Sequence, residues 1–250
     1  FPLDEFAHES RLEWWYNSGH LRTEKGREFG FHFVVFKADD GLGEPNLVAQ
    51  LGILEVETGE HYELSRAEAG FRITEDPLNI HITDWIYAIW PDSGHQQWST
   101  GNGEIVMSLE MSATSPPMLH NEIGWLPTDA GATYYYSWPR QSAVGTIKLG
   151  DETFEVTGTS WFDHQWGDFF VLGKPAGWQW FALQLEDGGS LMITESRGLD
   201  GKIVDTYGTY MSPDGEVRSL QQSEDGIDLT AIGEWNSPTT GATYPSGWSL

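Results

Sequence analysis

The sequence predicts an all-β protein in which antiparallel strands form barrels or sandwiches. Runs of alternating apolar and polar residues recur at spacings of roughly 8–14 residues, which is typical of such folds. Twenty-nine glycines and twelve prolines in 250 residues provide turns between these runs. No segment of about twelve residues or more carries the continuous apolar stripe of an amphipathic helix. The sequence therefore predicts consecutive β-strands joined by short connections.

The predicted strands follow one another along most of the chain. In the first, residues 29–37 (FGFHFVVFK), aromatic residues alternate with small or polar ones at the start. This period of two separates the side chains onto the two faces of a sheet. Turn signals such as Asp40-Gly41 and Thr58-Gly59 lie between the strands. The other predicted strands are residues 48–56, 80–85, 105–111, 132–138, 142–149, 154–161, 178–185, 190–196 and 204–211.

A boundary between two domains is expected after the aromatic phrase at residues 161–167. The following residues, 169–175 (FFVLGKP), read as a connector, and a second run of strands begins at Gly177. We therefore expect an N-terminal β-barrel at residues 1–170 and a second barrel domain at residues 171–250. Eighty residues provide too few strands for a complete barrel, so the second domain is expected to be truncated.

Both chain ends fit a trimmed protein. The chain begins at Phe1 with neither an initiator methionine nor a signal peptide. We take this as the mark of processing and expect an extracytoplasmic location, periplasmic or secreted. The last four residues, 247–250 (GWSL), read as the start of a strand, which agrees with a truncated second domain.

The composition is that of an ordinary globular protein with a strong negative charge. Apolar residues make up 39% of the chain and charged residues 20%. The formal net charge of −25 argues against binding to nucleic acids or anionic membrane surfaces, whose phosphates it repels. Cysteine is absent, which excludes disulfides, thiolate metal sites and cysteine nucleophiles. No apolar run reaches the length of a transmembrane helix.

Thirteen tryptophans are the most informative feature, and most lie in short phrases that mix aromatic rings with ionisable or hydroxyl groups. Trp and Tyr bury large apolar areas and carry a polar atom that needs a partner. A deep aromatic cavity with a few ionisable groups is typical of a site for a lipophilic small molecule. The four phrases are Glu13-Trp14-Trp15-Tyr16, Tyr134-Tyr135-Tyr136-Ser137-Trp138, Trp161-Phe162-Asp163-His164-Gln165-Trp166-Gly167 and Gly177-Trp178-Gln179-Trp180.

Asp163 and His164 are the first candidates for acid–base chemistry. On a strand, Asp163 and Gln165 share one face, and His164 and Trp166 share the other. His164 and Trp166 can then line one cavity, while Asp163 faces elsewhere and orients a neighbouring backbone group. The alternative interpretation is structural: a packed Trp166 and a histidine with satisfied hydrogen bonds at a strand end.

Glu13 and Glu195 are further candidate acids. A glutamate within an aromatic strand is either exposed or buried with a raised pKa, and in the second case it can act as a general acid. Glu13 shares a strand face with Trp15. The alternative pairs Glu13 with an arginine such as Arg11. Glu195 poses the same choice, because Arg197 lies on its face of the strand.

Three consecutive tyrosines, Tyr134 to Tyr136, must place at least one ring on the inner face of a barrel. Tyr135 then lies opposite the other two. The alternative interpretation is the ordinary preference of tyrosine for half-buried strands. Both interpretations stay open.

The sequence carries no recognised metal or cofactor motif. Eight histidines are scattered without an HxH or HExxH phrase. A GxSxG elbow, a Walker loop and a Rossmann fingerprint are also absent. We therefore predict neither a metal nor a cofactor.

The phrases that carry a family resemblance follow in order along the chain: Phe1-Pro2, Ala7-His8, Glu13-Trp14-Trp15-Tyr16, Gly19-His20-Leu21, Phe29-Gly30-Phe31, Leu119-His120, Tyr134-Tyr135-Tyr136-Ser137, Gly158, the phrase at 161–167, Gly177-Trp178-Gln179-Trp180-Phe181 and Leu191-Met192. Together they resemble the lipocalin-like carotenoid 1,2-hydratase (CrtC/AttH-type) family. EWWY and W-x-DHxWG are the most specific phrases. The resemblance implies two lipocalin-like β-barrel domains side by side, with a ligand cavity between or within them. It also implies that this chain lacks the last strands of the second domain.

The resemblance also implies an activity. Carotenoid hydratases of this family add water across a terminal isoprenoid double bond without a redox cofactor, and related members include cyclase-like enzymes that act on polyenes. The motif histidine and tryptophan of the hydratases match His164 and Trp166 here. For the family's acidic residue, the nearest carboxylate is Glu195, and Thr194 stands where many bacterial relatives have tyrosine.

Two hypotheses from different classes follow. The first is a cofactor-independent hydratase or cyclase-like enzyme, in which a buried carboxyl (Asp163, Glu13 or Glu195) protonates an isoprenoid or polyene alkene, His164 serves as base, and aromatic rings stabilise the carbocation. The second is a non-catalytic lipocalin-like carrier of a lipophilic small molecule. A protonatable carboxyl that pairs with no arginine distinguishes them. The predicted ligand-contacting residues are Trp15, Tyr16, Tyr135, Trp166, Trp178 and Trp180.

Overall fold

The computed structural model describes residues 3–39, 41, 45–69, 72–74, 77–90, 93–128, 131–169, 175–221 and 226–250. Within these ranges the regular elements are β-strands and two short 3₁₀ turns, Leu3–Glu5 and His120–Glu122. The all-β prediction is therefore confirmed. The described part of the chain contains no helix with the length and apolarity needed to cross a bilayer.

Nineteen strands are described. They are β1 (Leu12–Arg22), β2 (Glu28–Ala38), β3 (Asn46–Glu55), β4 (His61–Ala69), β5 (Arg72–Thr74), β6 (Leu78–Ile82), β7 (Trp85–Trp90), β8 (His95–Gly101), β9 (Ile105–Ala113), β10 (Met118–Leu119), β11 (Trp125–Thr128), β12 (Gly131–Leu149), β13 (Glu152–Phe169), β14 (Pro175–Gln184), β15 (Ser190–Gly198), β16 (Ile203–Met211), β17 (Val217–Gln221), β18 (Thr230–Asn236) and β19 (Thr243–Ser249).

Strands β1 to β13 form one antiparallel sheet in the order β4-β3-β2-β1-β13-β12-β9-β8-β7-β6-β5, with β10 and β11 paired to β12. The sheet curls into a nearly closed barrel, since β6 lies against β3 and β4. Aromatic side chains fill its interior. The ring centroid of Phe33 lies 4.6 Å from that of Trp98 and 5.6 Å from that of Tyr87. These rings give the barrel a packed core.

Three predicted strand boundaries are wrong. Residues 80–85 do not form one strand, because β6 ends at Ile82 and a turn with Thr83 at a φ of 55° precedes Trp85 in β7. Residues 132–138 and 142–149 form one continuous strand, β12, in which a register shift between Trp138 and Gln141 takes the place of the predicted break. Strand β13 likewise continues past Trp161, so the DHQW phrase lies within a strand.

The remaining strands form two smaller sheets, one of β14 to β17 and one of β18 and β19. The four-stranded sheet packs on the outer face of β12 and β13. Arg140 in β12 donates hydrogen bonds to the backbone oxygens of Leu185 (2.7 Å) and Gly189 (2.8 Å). Gln184 donates in the opposite direction, to the backbone oxygen of Pro139 at 2.8 Å. The predicted domain boundary after residue 170 lies outside the described residues.

Arg140→Ala should loosen the four-stranded sheet without disturbing the barrel. Hydrogen bonds from a charged group contribute about 1.5–3 kcal/mol each, and local opening governs amide exchange. We therefore expect amides of β14 and β15 to exchange at least ten-fold faster in this variant. Arg66→Ala is the control, because Arg66 bonds the backbone oxygen of Gly101 within the barrel sheet. Equal protection of β14 and β15 in both variants would contradict the assigned role of Arg140.

Candidate active site

The DHQW phrase lies in the middle of β13, between β1 and β12. Trp15 is opposite His164 on one side, and Tyr136 is opposite His164 on the other. His164 and Trp166 pack in the barrel core with these two residues. Asp163 lies on the outer face, beneath the four-stranded sheet. The predicted division of the phrase between two strand faces is confirmed.

Inside the barrel, Glu13 is a fully buried carboxylate held by three side chains. Its Oε1 lies 3.0 Å from Nε2 of His164 and 2.8 Å from Nδ1 of His8. Its Oε2 accepts a hydrogen bond from Nζ of Lys37 at 2.9 Å, and Lys37 also donates to the backbone oxygen of His8. The backbone N–H of His8 donates to both carboxylate oxygens.

These contacts fix the charge of Glu13. Burial raises its pKa, but the hydrogen bonds from His164 and His8 and the neighbouring positive charges outweigh burial and lower the pKa to about 2. Glu13 is therefore ionised at neutral pH. The expected pairing with Arg11 is wrong: the partner is Lys37, which lies directly opposite Glu13 on β2. The backbone N–H of Arg11 donates to Asp168 instead.

Among the described residues, His8, Glu13 and His164 form one group whose ligand atoms all lie within 4.8 Å of one another, a spacing compatible with a metal ion. The positive charge beside this carboxylate comes from Lys37. The three side chains also satisfy one another's hydrogen bonds. We therefore interpret the group as an ion-paired, hydrogen-bonded cluster.

Aromatic rings enclose this cluster. The His8 ring stacks on Trp166 at a centroid distance of 3.9 Å, and Trp15 stacks on His164 at 5.0 Å. The hydroxyl of Tyr136 lies 3.2 Å from Nδ1 of His164. Burial lowers the pKa of His164, which keeps its imidazole neutral at pH 7. The cluster fastens β1 to β13 from the inside of the barrel.

On the opposite face of β13, Asp163 is buried with 4% of its surface exposed. Its Oδ1 accepts hydrogen bonds from Oγ of Ser137 at 2.5 Å and from Nε1 of Trp161 at 2.7 Å. Its Oδ2 accepts a hydrogen bond from the hydroxyl of Tyr135 at 2.8 Å. The three donors are neutral side chains.

The neutral surroundings change the acidity of Asp163. Burial raises its pKa to about 6, because hydrogen bonds from Ser137, Trp161 and Tyr135 only partly offset the lost hydration. A carboxyl with a pKa near neutrality is protonated often enough to act as a general acid. Asp163 thus differs from Glu13, whose cationic partners keep it ionised.

Asp163 ends a buried hydrogen-bond chain that begins in the four-stranded sheet. Oγ1 of Thr209 lies 2.9 Å from Nδ1 of His120, and Nε2 of His120 lies 2.8 Å from Oγ of Ser137. Burial lowers the pKa of His120 to about 3, so its ring is neutral. Sequence reasoning assigned no role to these three residues. The only signal was that Leu119-His120 and Ser137 belong to the phrases shared with the family.

An aromatic group lies beside Asp163. Trp180 in β14 donates its Nε1–H to the hydroxyl of Tyr135 at 3.1 Å. Its ring meets Tyr16 edge-on at a centroid distance of 5.5 Å and Trp161 at 6.4 Å. Tyr207 of β16 packs against the same group. Tyr16, Trp180 and Tyr207 are only partly buried, which leaves part of their surface open to a ligand.

Comparisons with known proteins agree with this architecture. The model of the AttH-like family matches residues 1–250. The chain belongs to the AttH-like family. A crystal structure of an AttH protein from Nitrosomonas europaea is similar to this chain, with 26% sequence identity and a TM-score of 0.90. The match covers 99% of this chain and 79% of the Nitrosomonas chain. The crystal structure of kievitone hydratase from Nectria haematococca is also similar, with 16% sequence identity and a TM-score of 0.74. That match covers 99% of this chain and 75% of the hydratase chain. No curated protein sequence matches the chain.

These findings confirm the resemblance and the lipocalin-like fold that it implied. They also show that the AttH-like chain spans about three quarters of the length of both solved relatives. The likeness to kievitone hydratase lies in the fold, since the identity is only 16%.

The structure of this AttH-like protein separates the remaining predicted site residues from Asp163. Glu195 is buried, and its side chain points to the opposite face of β15 from that of Thr194. It accepts a hydrogen bond from Arg197 at 2.5 Å. This is the ion pair that the sequence left open as an alternative. Trp178 is 54% exposed. The predicted residues gathered around Asp163 are Tyr16, Tyr135 and Trp180, whereas Glu13, Trp15, His164 and Trp166 lie inside the barrel.

The inner cluster should make stability fall in acid. A carboxyl whose pKa is lower in the folded state stabilises the fold above its unfolded pKa and loses that effect as the pH falls. For Glu13 the window runs from pH 4.5 to about 2, and the loss is roughly 3 kcal/mol. Glu13→Gln should abolish this pH dependence in urea unfolding. The variant should also cost about 3–5 kcal/mol at pH 7, because Lys37 loses its buried partner.

A suitable control for this experiment is Glu110→Gln, since Glu110 is 3.9 Å from His95 in an exposed pair. Exposed pairs contribute about 0–1 kcal/mol. An unfolding free energy of the Glu13 variant that parallels the wild type from pH 5 to pH 2 would refute the assigned charge of Glu13.

Asp163 should have the opposite effect. A carboxyl with a raised folded pKa contributes stability that is fully present below its unfolded pKa and lost as the pH rises through the folded value. For Asp163 this window runs from pH 3.8 to about 6. The stability difference between Asp163→Asn and wild type should therefore shift by roughly 3 kcal/mol in favour of the variant between pH 4 and pH 8. A difference that stays constant over this range would show that Asp163 titrates normally.

Proposed function

We propose that this AttH-like protein is a cofactor-independent hydratase that protonates an alkene of an apolar isoprenoid or polyene, with Asp163 as the acid. The observation that carries the proposal is the environment of Asp163, a buried carboxyl with neutral hydrogen-bond donors beside an aromatic group. Glu13 pairs with Lys37, and Glu195 pairs with Arg197. Of the three predicted acids, Asp163 is therefore the one suited to carry a proton.

One carboxyl group, that of Asp163, is sufficient for a balanced hydration reaction, because it first gives up a proton and then takes one back. Asp163 transfers its proton to the less substituted alkene carbon, which leaves a tertiary carbocation and a carboxylate. Water adds to the cation, and the proton that this water loses returns to Asp163. Alkene and water have then become an alcohol. Because the substrate is neither oxidised nor reduced overall, the step has no use for a redox cofactor.

The aromatic group supports the proposal in two ways. Trp161, Trp180 and Tyr16 present π-systems near Asp163, and each desolvated contact with a cation contributes about 0.5–2 kcal/mol. The same rings form an apolar surface for a substrate without polar groups. In a polyene, a second alkene held close to the cation can react before water, and the product is then a cyclised isomer.

The fold relatives favour the same reaction class. One protein with this fold is a hydratase by name, the kievitone hydratase. Its likeness to this chain supports water addition as the chemistry and leaves the substrate to be found by experiment.

His164 and Glu13 have a different role in this proposal. Both lie on the barrel side of β13, so a substrate beside Asp163 does not contact them. The proposal therefore assigns them the positioning of β1 and β13. Asp163 serves first as acid and then, as carboxylate, as the base for water.

The test is incubation of the protein with a panel of acyclic isoprenoids and polyenes in ¹⁸O-labelled water, followed by mass spectrometry. The wild type should incorporate one ¹⁸O atom per hydrated alkene. Asp163→Asn should lower the rate by about 10²–10⁴, the usual contribution of a general acid. Glu55→Gln is the matched control, because Glu55 is a buried carboxylate that pairs with Arg27 in a different part of the barrel.

Two outcomes would contradict the proposal. Ligand that binds and is recovered unchanged indicates a lipocalin-like carrier of a lipophilic molecule. Full activity in Asp163→Asn together with loss of activity in Glu195→Gln would move the acid to the other predicted carboxyl.

A further inference from the structure

The direction of the buried hydrogen-bond chain from Thr209 to Asp163 depends on which nitrogen of His120 carries hydrogen. Trp161 can only donate, and its Nε1–H occupies one lone pair of Asp163 Oδ1. The hydroxyl of Ser137 lies 2.5 Å from the same oxygen. Ser137 donates its single proton to Oδ1 when Nε2 of His120 carries hydrogen and donates to Ser137. Nδ1 of His120 then accepts a hydrogen bond from the hydroxyl of Thr209.

The tautomer of His120 therefore decides where a proton can sit on Asp163. With Nε2–H, both lone pairs of Oδ1 are filled by Ser137 and Trp161, and an added proton must go to Oδ2. With Nδ1–H, His120 accepts from Ser137, and the proton of Asp163 sits on Oδ1 and points at Ser137. Oδ2 is the oxygen bonded by Tyr135, on the side of Trp180.

We propose that His120 is a positioning residue, which holds its Nε2–H tautomer and thereby places the acidic proton of Asp163 on Oδ2, facing the aromatic group. The inference rests on the proposed role of Asp163 as acid, and it specifies which carboxyl oxygen delivers the proton. His120 acts through Ser137 and does not itself reach Oδ2.

The backbone around His120 supports this assignment. The next two residues, Asn121 and Glu122, have φ values of 53° and 64°. This left-handed region is sparsely populated by residues other than glycine, and such strain concentrates at functional sites. The turn closes through a hydrogen bond from the N–H of Gly124 to the backbone oxygen of His120. The strained turn presents the His120 ring between Thr209 of one sheet and Ser137 of the other.

The titratable groups near Asp163 stay uncharged in the physiological range, which leaves the hydrogen-bond chain from Thr209 as the main influence on the position of its proton. Beyond its three donors, its titratable neighbours among the described residues include Tyr16 of β1 and Tyr207 of β16. Burial raises the pKa of Tyr16 to about 12 and that of Tyr207 still further, so both hydroxyls remain neutral in the physiological range. The ring of His120 is neutral too, which fits a residue that acts through its tautomer.

The test is nuclear magnetic resonance on the ligand-free protein, with ¹⁵N-labelled histidine and ¹³C-labelled aspartate carboxyls. His120 should show the Nε2–H tautomer from pH 5 to pH 8. Asp163 should titrate near pH 6 in the wild type. Ser137→Ala should raise that midpoint by about one unit, because an ionised Oδ1 loses a donor. His120→Gln should keep the wild-type midpoint, since its amide can donate to Ser137.

Ser142→Ala is the matched control, because Ser142 is an exposed hydroxyl residue of the same strand. It should leave the Asp163 titration unchanged. An Nδ1–H tautomer of His120 would overturn the inference. So would an Asp163 midpoint that Ser137→Ala leaves unshifted, or one that His120→Gln moves as far as Ser137→Ala does.

The measurement separates this inference from the proposed function, because it needs no substrate. A wild type with the expected tautomer and titration but no hydration of any substrate would refute the proposed function alone. Where hydration is observed, the pH profile of kcat should move with the Asp163 midpoint in Ser137→Ala. A kcat profile that stays unmoved while the Asp163 midpoint shifts would show that Asp163 is not the acid, whatever the tautomer of His120.

Discussion

The antiparallel pairing of β12 with β13 is the contact on which both polar clusters depend. It sets Tyr136 opposite His164 and Ser137 opposite Asp163. Because neighbouring residues of a strand point to opposite faces, one register serves the barrel core and the contact with the four-stranded sheet at the same time. A slip of one residue would turn Asp163 into the apolar barrel and His164 out of it, and neither would meet its partners.

Two buried carboxyls on this part of the sheet differ in protonation because their partners differ in charge. Burial raises the pKa of both Glu13 and Asp163. Lys37 and two imidazoles reverse that effect for Glu13, whereas hydroxyls and an indole do not reverse it for Asp163. The chain has only thirteen lysines and arginines at a net charge of −25. One of these few cations is buried against Glu13, and none of the hydrogen-bond donors of Asp163 is a cation.

Periodicity along single strands was sufficient to predict the all-β class and the faces of the EWWY and DHQW phrases. It could not identify Lys37 as the partner of Glu13, because that pairing depends on the register of β1 against β2. His120 was missed for the same reason: it meets Ser137 through a turn and Thr209 through the other sheet. The break expected between residues 138 and 142 is a register shift, in which the strand continues although its alternation changes. Sequence patterns describe one strand at a time, and the site is made between strands.

The acid and its aromatic group exist only where the two sheets meet. The barrel contributes Asp163 and Ser137, and the four-stranded sheet contributes Trp180 and Thr209. Without the second sheet, Asp163 would be hydrated and its pKa would return toward the ordinary value for aspartate. The hydrogen bonds of Arg140 that dock the sheets therefore also maintain the raised pKa of Asp163. A buried carboxyl that titrates lowers the free energy of unfolding at neutral pH. Because Asp163 lies at the contact between two preformed sheets, this loss does not weaken the hydrophobic core of either sheet.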